Sequence, residues 1–259
     1  MAKEVVKKEK GELSPEMIAL MEEDAGAGLE EATSKDRVMP FISILQQQSP
    51  QVNKRDSSYV TGAEPGMFYN NASQKVYDGE EGILVVPCFF RRRYTEWKPR
   101  SAGGGLVRDY DTDDSCLKNC TVDPNTFRNM TPEGNEIVTS GNHYCILVEE
   151  TQISRVLFSM AGTQLKKSRK WNSVLDEVRL PNGKVAPTFG SVFRFTTVAE
   201  QNDKGNWFGY KISLFGKTLE QPGGQEIYIA AREFKKLIQS GAVKVAEQPN
   251  PGPDLDIPM

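Results

Sequence analysis

The sequence has little of what catalysis, secretion or membrane insertion requires. Its 259 residues contain one histidine, His143, and 4 cysteines. Nucleophilic catalysis by a Cys–His or Ser–His pair therefore has little support in the sequence. No apolar run approaches the ~20 residues of a transmembrane helix, and the N-terminus lacks the apolar segment of a secretory signal. We therefore expect a cytoplasmic protein that is not an enzyme, uses no cofactor, binds no membrane and forms no disulfides.

The chain also lacks a strong excess of charge of either sign. Its net charge of -3 and pI near 5.5 exclude a generally basic, histone-like binder. Any nucleic-acid surface must therefore be local, with acidic residues concentrated elsewhere. The 22 glycines, 15 prolines and 38% hydrophobic residues indicate a globular protein that is rich in loops and strands.

Changes in composition divide the chain into three predicted regions. Residues 1–37 alternate basic and acidic clusters, and we expect a weakly ordered charged arm with a short helix that begins at Ser14-Pro15-Glu16. Residues 38–245 carry the β-rich runs and form the predicted core. Residues 246–259 have no means of burying a core, so we expect a disordered acidic tail.

The core is predicted to consist mainly of short antiparallel strands. Its β-rich runs lie at residues 83–86, 144–148, 154–161, 189–198 and 207–215. Helices are predicted over residues 163–177 and 226–239, because apolar positions recur there at helical spacing. Residues 108–141 show little periodicity and predict a long surface excursion. The fold class is therefore mainly β with minor α: an OB-like small β-barrel enlarged by long loops, one internal helix and one C-terminal helix.

Aromatic and basic residues interleave directly after the predicted strand at residues 83–86. Residues 89–100 read FFRRRYTEWKPR. A polyanion with flat bases needs this mixture, because cations neutralise phosphates while rings offer stacking faces that accept any base. The alternative is a strand edge whose aromatics face inward while its arginines are solvated.

A second basic cluster lies in the predicted internal helix, where residues 166–171 read KKSRKW. The alternative here is a solvated helix face on which Trp171 packs down as an anchor. Residues 193–195 and 204–210 add further aromatic and cationic positions on strands. The predicted nucleic-acid-binding residues are Arg91, Arg92, Arg93, Tyr94, Trp97, Lys98, Arg100, Lys166, Lys167, Arg169, Lys170 and Trp171.

The C-terminus, PDLDIPM, is similar to the tip of bacterial single-stranded DNA-binding proteins, where acidic residues precede Ile-Pro and a terminal aromatic. Four positions match that pattern, and Met259 replaces the aromatic with a flexible apolar side chain. The matching residues are Asp254, Asp256, Ile257 and Pro258. The resemblance implies that this tip, Met259 included, docks in a small basic pocket on a partner enzyme.

The remaining chain resembles the single-stranded DNA-binding proteins of tailed phages over residues 38–245. The likeness rests on the aromatic positions between Phe68 and Trp97, on TQLKKSRKWN at residues 163–172 and on NDKGNW at residues 202–207. It implies a protein of the host-cell cytoplasm that coats and protects single-stranded DNA without sequence preference during replication or recombination. Replication or recombination enzymes are then the partners of its tail, and assembly into a homo-oligomer stays open.

Two kinds of metal chemistry are weighed against this interpretation. Cys116, Cys120, His143 and Cys145 could together form a Cys3His zinc site, although we expect no metal. The alternative is an exposed cysteine pair with Cys145 buried in a strand as a small hydrophobe. A Mg-dependent nuclease acting on phage or host DNA would use Glu96-Trp97-Lys98 with an upstream acid, Asp78 or Glu81.

A third alternative is a protein-interaction or virion-surface β-domain that binds no nucleic acid. It predicts that the aromatics belong to the core and that the cations are only solvated. Binding that does not respond to salt would favour this alternative.

Overall fold

The computed structural model describes residues 14–24, 27–32, 39–110, 115–124, 128–203 and 205–243. Its contacts divide the chain into two units, Met1–Arg37 and Val38–Met259. In the first unit, helix α1 spans Pro15–Glu23, and the Met17 N–H donates to the Ser14 hydroxyl at 3.3 Å. Ser at the cap and Pro in the first turn thus start the helix as the sequence predicts. No residue of α1 is buried.

The described part of the second unit contains strands β1 (Ile42–Ile44), β2 (Phe68–Asn70), β3 (Val76–Tyr77), β4 (Ile83–Trp97), β5 (Leu106–Tyr110), β6 (Thr121–Val122), β7 (Asn129–Met130), β8 (Glu136–Val148), β9 (Ile153–Ala161), β10 (Ser191–Asn202) and β11 (Gly205–Lys217). It also contains helices α2 (Leu165–Glu177) and α3 (Gly224–Gln239). The fold is mainly β with an internal and a C-terminal helix, which confirms the predicted fold class.

Strands β4 and β8 form the centre of a large curled sheet. These two strands pair antiparallel along almost their whole lengths. The order of the described strands in the sheet is β11-β10-β4-β8-β7-β6. The other edge of β4 is shared, because β10 pairs only with residues 83–85 and β5 only with residues 94–97. Likewise, β9 pairs with β8 from Ser140 to Val148. The sheet therefore curls into a half-barrel.

The length of β4 differs from the prediction. The sequence suggests a short strand over residues 83–86, but the strand continues through the aromatic-basic stretch to Trp97 because β8 pairs with it throughout. Pro87 cannot donate to a neighbouring strand, and the register shifts at a bulge between Pro87 and Phe89. The predicted excursion over residues 108–141 is wrong at both ends, since residues 108–110 belong to β5 and residues 136–141 to β8.

Helices α2 and α3 cover opposite faces of the sheet. Trp171 of α2 packs in one buried cluster with Val85, while Phe234 of α3 packs in another with Val86. Because consecutive residues of a strand point to opposite sides, these clusters define two faces. We call them the α2 face and the α3 face.

A small antiparallel sheet, β1-β2-β3, bridges the two sides of the curled sheet. Phe41 forms a parallel bridge with Leu157 of β9. The Gln46 side chain bonds both backbone groups of Phe208 in β11, accepting from its N–H at 2.8 Å and donating to its carbonyl at 2.9 Å. The small sheet thereby connects β9 to β11 and completes a barrel-like enclosure.

Candidate nucleic-acid interface

The structure brings the two basic clusters of the sequence together across β8. The His143 ring lies between Phe90 of β4 and Trp171 of α2, with centroid distances of 4.9 and 4.4 Å. Its Nε2 is 2.7 Å from the Ser168 hydroxyl. Gly141 permits this approach, because a Cβ there would lie 2.2 Å from Ser168 Oγ. Helix α2 therefore packs on β8, on the same face of the sheet as Phe90 of β4.

The cations of β4 alternate between the two faces of the sheet. Arg92 is exposed and shares the α2 face with Phe90, two residues earlier. Arg91 and Arg93 point to the α3 face. The Arg91 guanidinium lies 5.6 Å from the Phe89 ring centre, and Arg93 forms an ion pair with Asp109 at 2.9 Å. Only part of the predicted arginine run can therefore meet one ligand.

Helix α2 presents three exposed cations. Lys166, Arg169 and Lys170 are exposed, and none has an ion-pair partner among the described residues. Lys167 differs, because its Nζ lies 2.7 Å from Glu200 Oε1 on the β10–β11 hairpin. An unpaired surface ammonium or guanidinium is available to a phosphate without first breaking an ion pair.

The predicted aromatic residues do not lie where the sequence suggests. Trp171 is 2% exposed and packs in the core, as the packing-anchor alternative proposed. Trp97 is 7% exposed, at the distal end of β4 beside the exposed Lys98. Neither tryptophan ring offers an open stacking face, and Tyr94 is half-buried on the same strand as Trp97. The side chain of Arg100 lies outside the described residues.

Trp207 is the tryptophan that the predicted set omitted. It is half-buried near the tip of the β10–β11 hairpin, and its Nε1 donates to Glu200 Oε2 at 2.9 Å. Glu200 therefore joins Trp207 to Lys167. The position of Trp207 directly after the loop at residues 202–206 is the signal that could have identified it, because side chains at hairpin tips are rarely covered on both sides.

Two of the residues considered for zinc, His143 and Cys145, are buried in the protein interior, whereas Cys120 is half-buried. Burial lowers the pKa of His143 to about 3 and raises the pKa of the Cys145 thiol well above its usual value. Cys145 lies in the core as a small hydrophobe, and its thiol donates to the His143 carbonyl at 3.7 Å. The side chain of Cys116 lies outside the described residues. Within the described part of the chain, no three His, Cys, Asp or Glu residues are grouped to hold a metal ion.

The carboxylates considered for a nuclease lie at opposite ends of β4. Asp78 precedes the strand and accepts from the N–H groups of Glu80 and Glu81 at 2.7 and 2.8 Å. Glu96 is buried near its end and accepts from the Tyr110 hydroxyl and, at 2.6 Å, from the Asn135 amide. In the nuclease alternative these acids would share one Mg²⁺, and their positions at opposite ends of β4 do not bring them together.

The comparisons with known proteins bear on the origin of the chain. None of the helices in the described ranges is long and apolar enough to cross a membrane. The chain belongs to the Pam3 phage gp34-like protein family, whose model matches residues 8–244. It is thus a phage protein. No curated protein and no solved structure matches the chain.

Proposed function

We propose that this phage protein binds single-stranded DNA without sequence preference and protects it during replication or recombination. Partner enzymes are recruited through the C-terminal tip, residues 254–259, which lies outside the described residues. The α2 surface, which we define as Arg92, Lys166, Arg169, Lys170 and Trp207, is the proposed contact with DNA. Of the remaining predicted residues that the structure describes, Arg91 and Arg93 lie on the other face of the sheet, and Tyr94, Trp97 and Lys98 lie towards the end of β4. Lys167 is paired with Glu200, and Trp171 lies in the core.

The connectivity of the barrel supports this proposal. Strands β4, β8 and β9 form a meander, α2 follows the third strand, and the β10–β11 hairpin returns so that β10 lies beside β4. Five strands in this order, with a helix between the third and fourth, are the arrangement of an OB fold. In this chain, the small β1-β2-β3 sheet stands where the third and fifth strands of an OB barrel would meet.

The observation that carries the proposal is the convergence of unpaired cations on one surface of a protein whose net charge is -3. Arg92 and the cations of α2 are more than 70 positions apart in the sequence but share the α2 face. Phosphates bind to such clusters, and a nearby ring adds stacking that accepts every base.

The test compares binding of a labelled single strand with binding of the matching duplex by fluorescence anisotropy at several salt concentrations. We expect preference for the single strand and affinity that falls with salt. The triple variant Lys166→Ala, Arg169→Ala, Lys170→Ala should lower the slope of log K against log salt by about 2, because each neutralised phosphate contributes ~0.7 to that slope. The control is Arg232→Ala with Lys236→Ala, which removes exposed cations from α3 on the opposite face.

If the triple variant and the α3 control weaken single-strand affinity equally, binding depends on diffuse charge, and the α2 surface is not the DNA contact. Absence of binding to either DNA would favour a protein-interaction domain, as would binding that ignores salt. A tail truncation that removes residues 253–259 should leave DNA affinity unchanged or higher while abolishing capture of a replication or recombination enzyme. Weaker DNA binding after truncation would contradict that role of the tail.

A further inference from the structure

A cavity of about 270 Å³ opens between β4, α2 and the turn at Thr188–Gly190. It lies where β10 has left the edge of β4 and β5 has not yet joined it, so no described strand covers that edge at Pro87–Phe90. The bulge at Phe89 places two consecutive aromatic rings, Phe89 and Phe90, on its wall. The cavity is thus a product of the way in which β4 changes partners.

The walls combine flat rings with hydrogen-bonding groups. The His143 ring, tilted against Phe90 with centroids 4.9 Å apart, lines the inner part, and burial lowers its pKa to about 3, so that it is uncharged at neutral pH. Asn172 and Asp176 line the α2 side, one helical turn apart and therefore on the same side of the helix. An amide can both donate and accept, whereas a carboxylate only accepts.

A guanidinium group is attached to the α2 side of this cavity. Arg179 is exposed, and its Nη1 donates to the backbone carbonyls of Asp176 and, at 3.4 Å, of Val178. Flat rings, an accepting carboxylate and a neighbouring cation suit a ligand with a planar body, an amino group and an anionic group.

We propose that this cavity takes one nucleobase with an exocyclic amino group, cytosine or adenine, and that Arg179 meets the adjoining phosphate. The volume lies below the roughly 300–1,000 Å³ of pockets for drug-sized ligands, so it suits a single small ring system. Carboxylates accept from the cytosine N4 amino group, and Asn side chains pair with adenine. Thymine presents the O4 acceptor instead, which the Asp176 carboxylate would repel.

This inference rests on the proposed function for its macromolecular ligand, because the base would belong to a bound single strand. DNA binding would then be sequence-tolerant except at one position, where the cavity discriminates between bases. The same chemistry would also recognise a free nucleotide. The experiment therefore has two arms, one with oligonucleotides and one with mononucleotides.

The first arm measures the affinities of oligo-dC and oligo-dT of equal length by anisotropy at neutral pH. We expect oligo-dC to bind roughly five-fold or more tightly, as a fixed polar contact to a base edge usually discriminates. Asp176→Asn should bring the ratio close to one, because the amide can also donate to O4. Glu177→Gln is the matched control, since it removes the same charge from the next exposed position of α2 and should leave the ratio unchanged.

The second arm follows dCMP and dTMP by ligand-observed NMR with the same three proteins. A preference for dCMP that disappears only in Asp176→Asn supports the cavity as a base site. If that preference is found but no oligonucleotide binds, the proposed function fails and the base site stands. The inference is overturned if oligonucleotides bind but Asp176→Asn leaves the ratio of oligo-dC to oligo-dT affinity unchanged, and if neither mononucleotide is preferred. The proposed function still stands in that case. Equal melting temperatures of the variants confirm that folding is unchanged.

Discussion

The Nε2 of His143 and the hydroxyl of Ser168 lie 2.7 Å apart in the protein interior, and this hydrogen bond joins β8 to α2. Both residues are 1% exposed. Because α2 carries the proposed DNA-binding cations and β8 pairs with β4, this buried pair fixes the position of α2 against Arg92. The arrangement of the surface therefore depends on polar groups that no ligand touches.

Ser168→Ala should lower the free energy of unfolding by about 1–3 kcal/mol, because it leaves a buried imidazole nitrogen without its partner. Urea denaturation measures the change. Ser173→Ala is the control on the same helix, since Ser173 is exposed and its hydroxyl donates to the Arg169 carbonyl at 3.3 Å. Equal stabilities of the two variants would show that the buried hydrogen bond adds nothing to the fold.

The stability of the protein should fall in mild acid because of His143. Burial lowers its pKa from 6.5 to about 3, so below pH 6.5 the unfolded chain binds a proton that the folded protein does not. The contribution of His143 to the free energy of unfolding is therefore fully present above pH 6.5 and is lost as the pH falls toward 3. Between pH 7 and pH 5 the loss is about 2 kcal/mol.

Urea unfolding at these two pH values checks the decrease, with His143→Gln as the control that lacks the titrating group. Glu149 also has a pKa that its partners lower, but its contribution changes only below its ordinary value of 4.5, outside this interval. If His143→Gln loses as much stability between pH 7 and pH 5 as the unmodified protein does, the acid sensitivity comes from other groups.

The parts of the fold that depend on local signals could be predicted from the sequence. The β10–β11 hairpin follows from alternating residues on either side of a polar loop, and α3 ends before Gly241, which adopts a φ of 74°. The extent of β4 could not be predicted, because its continuation beyond Val86 depends on pairing with β8 some 50 positions later.

The site was predictable only in part for a similar reason. Buried Ser168 interrupts the apolar stripe of α2, which consists of Leu165, Trp171 and Leu175, so the sequence does not show that Trp171 points inward. Its partner, His143, lies on a different strand. The cations of α2 were identified correctly as exposed, with the exception of Lys167, whose acidic partner is at position 200.

Trp207→Ala should weaken single-strand affinity by about 1–3 kcal/mol if the ring stacks on a base, while the melting temperature changes little. Trp97→Ala should behave in the opposite way, because Trp97 is 7% exposed and removal of a buried ring costs about 3–5 kcal/mol of stability. Anisotropy and thermal unfolding of both variants test the pair. Weaker affinity in Trp97→Ala with unchanged stability would place the DNA at the other end of β4.

Glu200→Gln should tighten binding of single-stranded DNA. The Glu200 carboxylate holds the Lys167 ammonium at 2.7 Å and accepts from Trp207 Nε1 at 2.9 Å. A glutamine retains an acceptor for the indole but no longer neutralises Lys167, whose buried Nζ then adds one positive charge beside the α2 surface. The slope of log K against log salt should become steeper by up to ~0.7, the contribution of one phosphate neutralised by this charge.

Glu226→Gln, at the exposed start of α3, removes an equal charge from the opposite face and separates this effect from a change in net charge. If both variants tighten binding equally and neither alters the slope, the charge of Lys167 does not act on the DNA, and the DNA does not reach the hairpin side of α2. If only Glu200→Gln steepens the slope, the strand passes between α2 and the β10–β11 hairpin, where Trp207 offers a ring on which a base can stack.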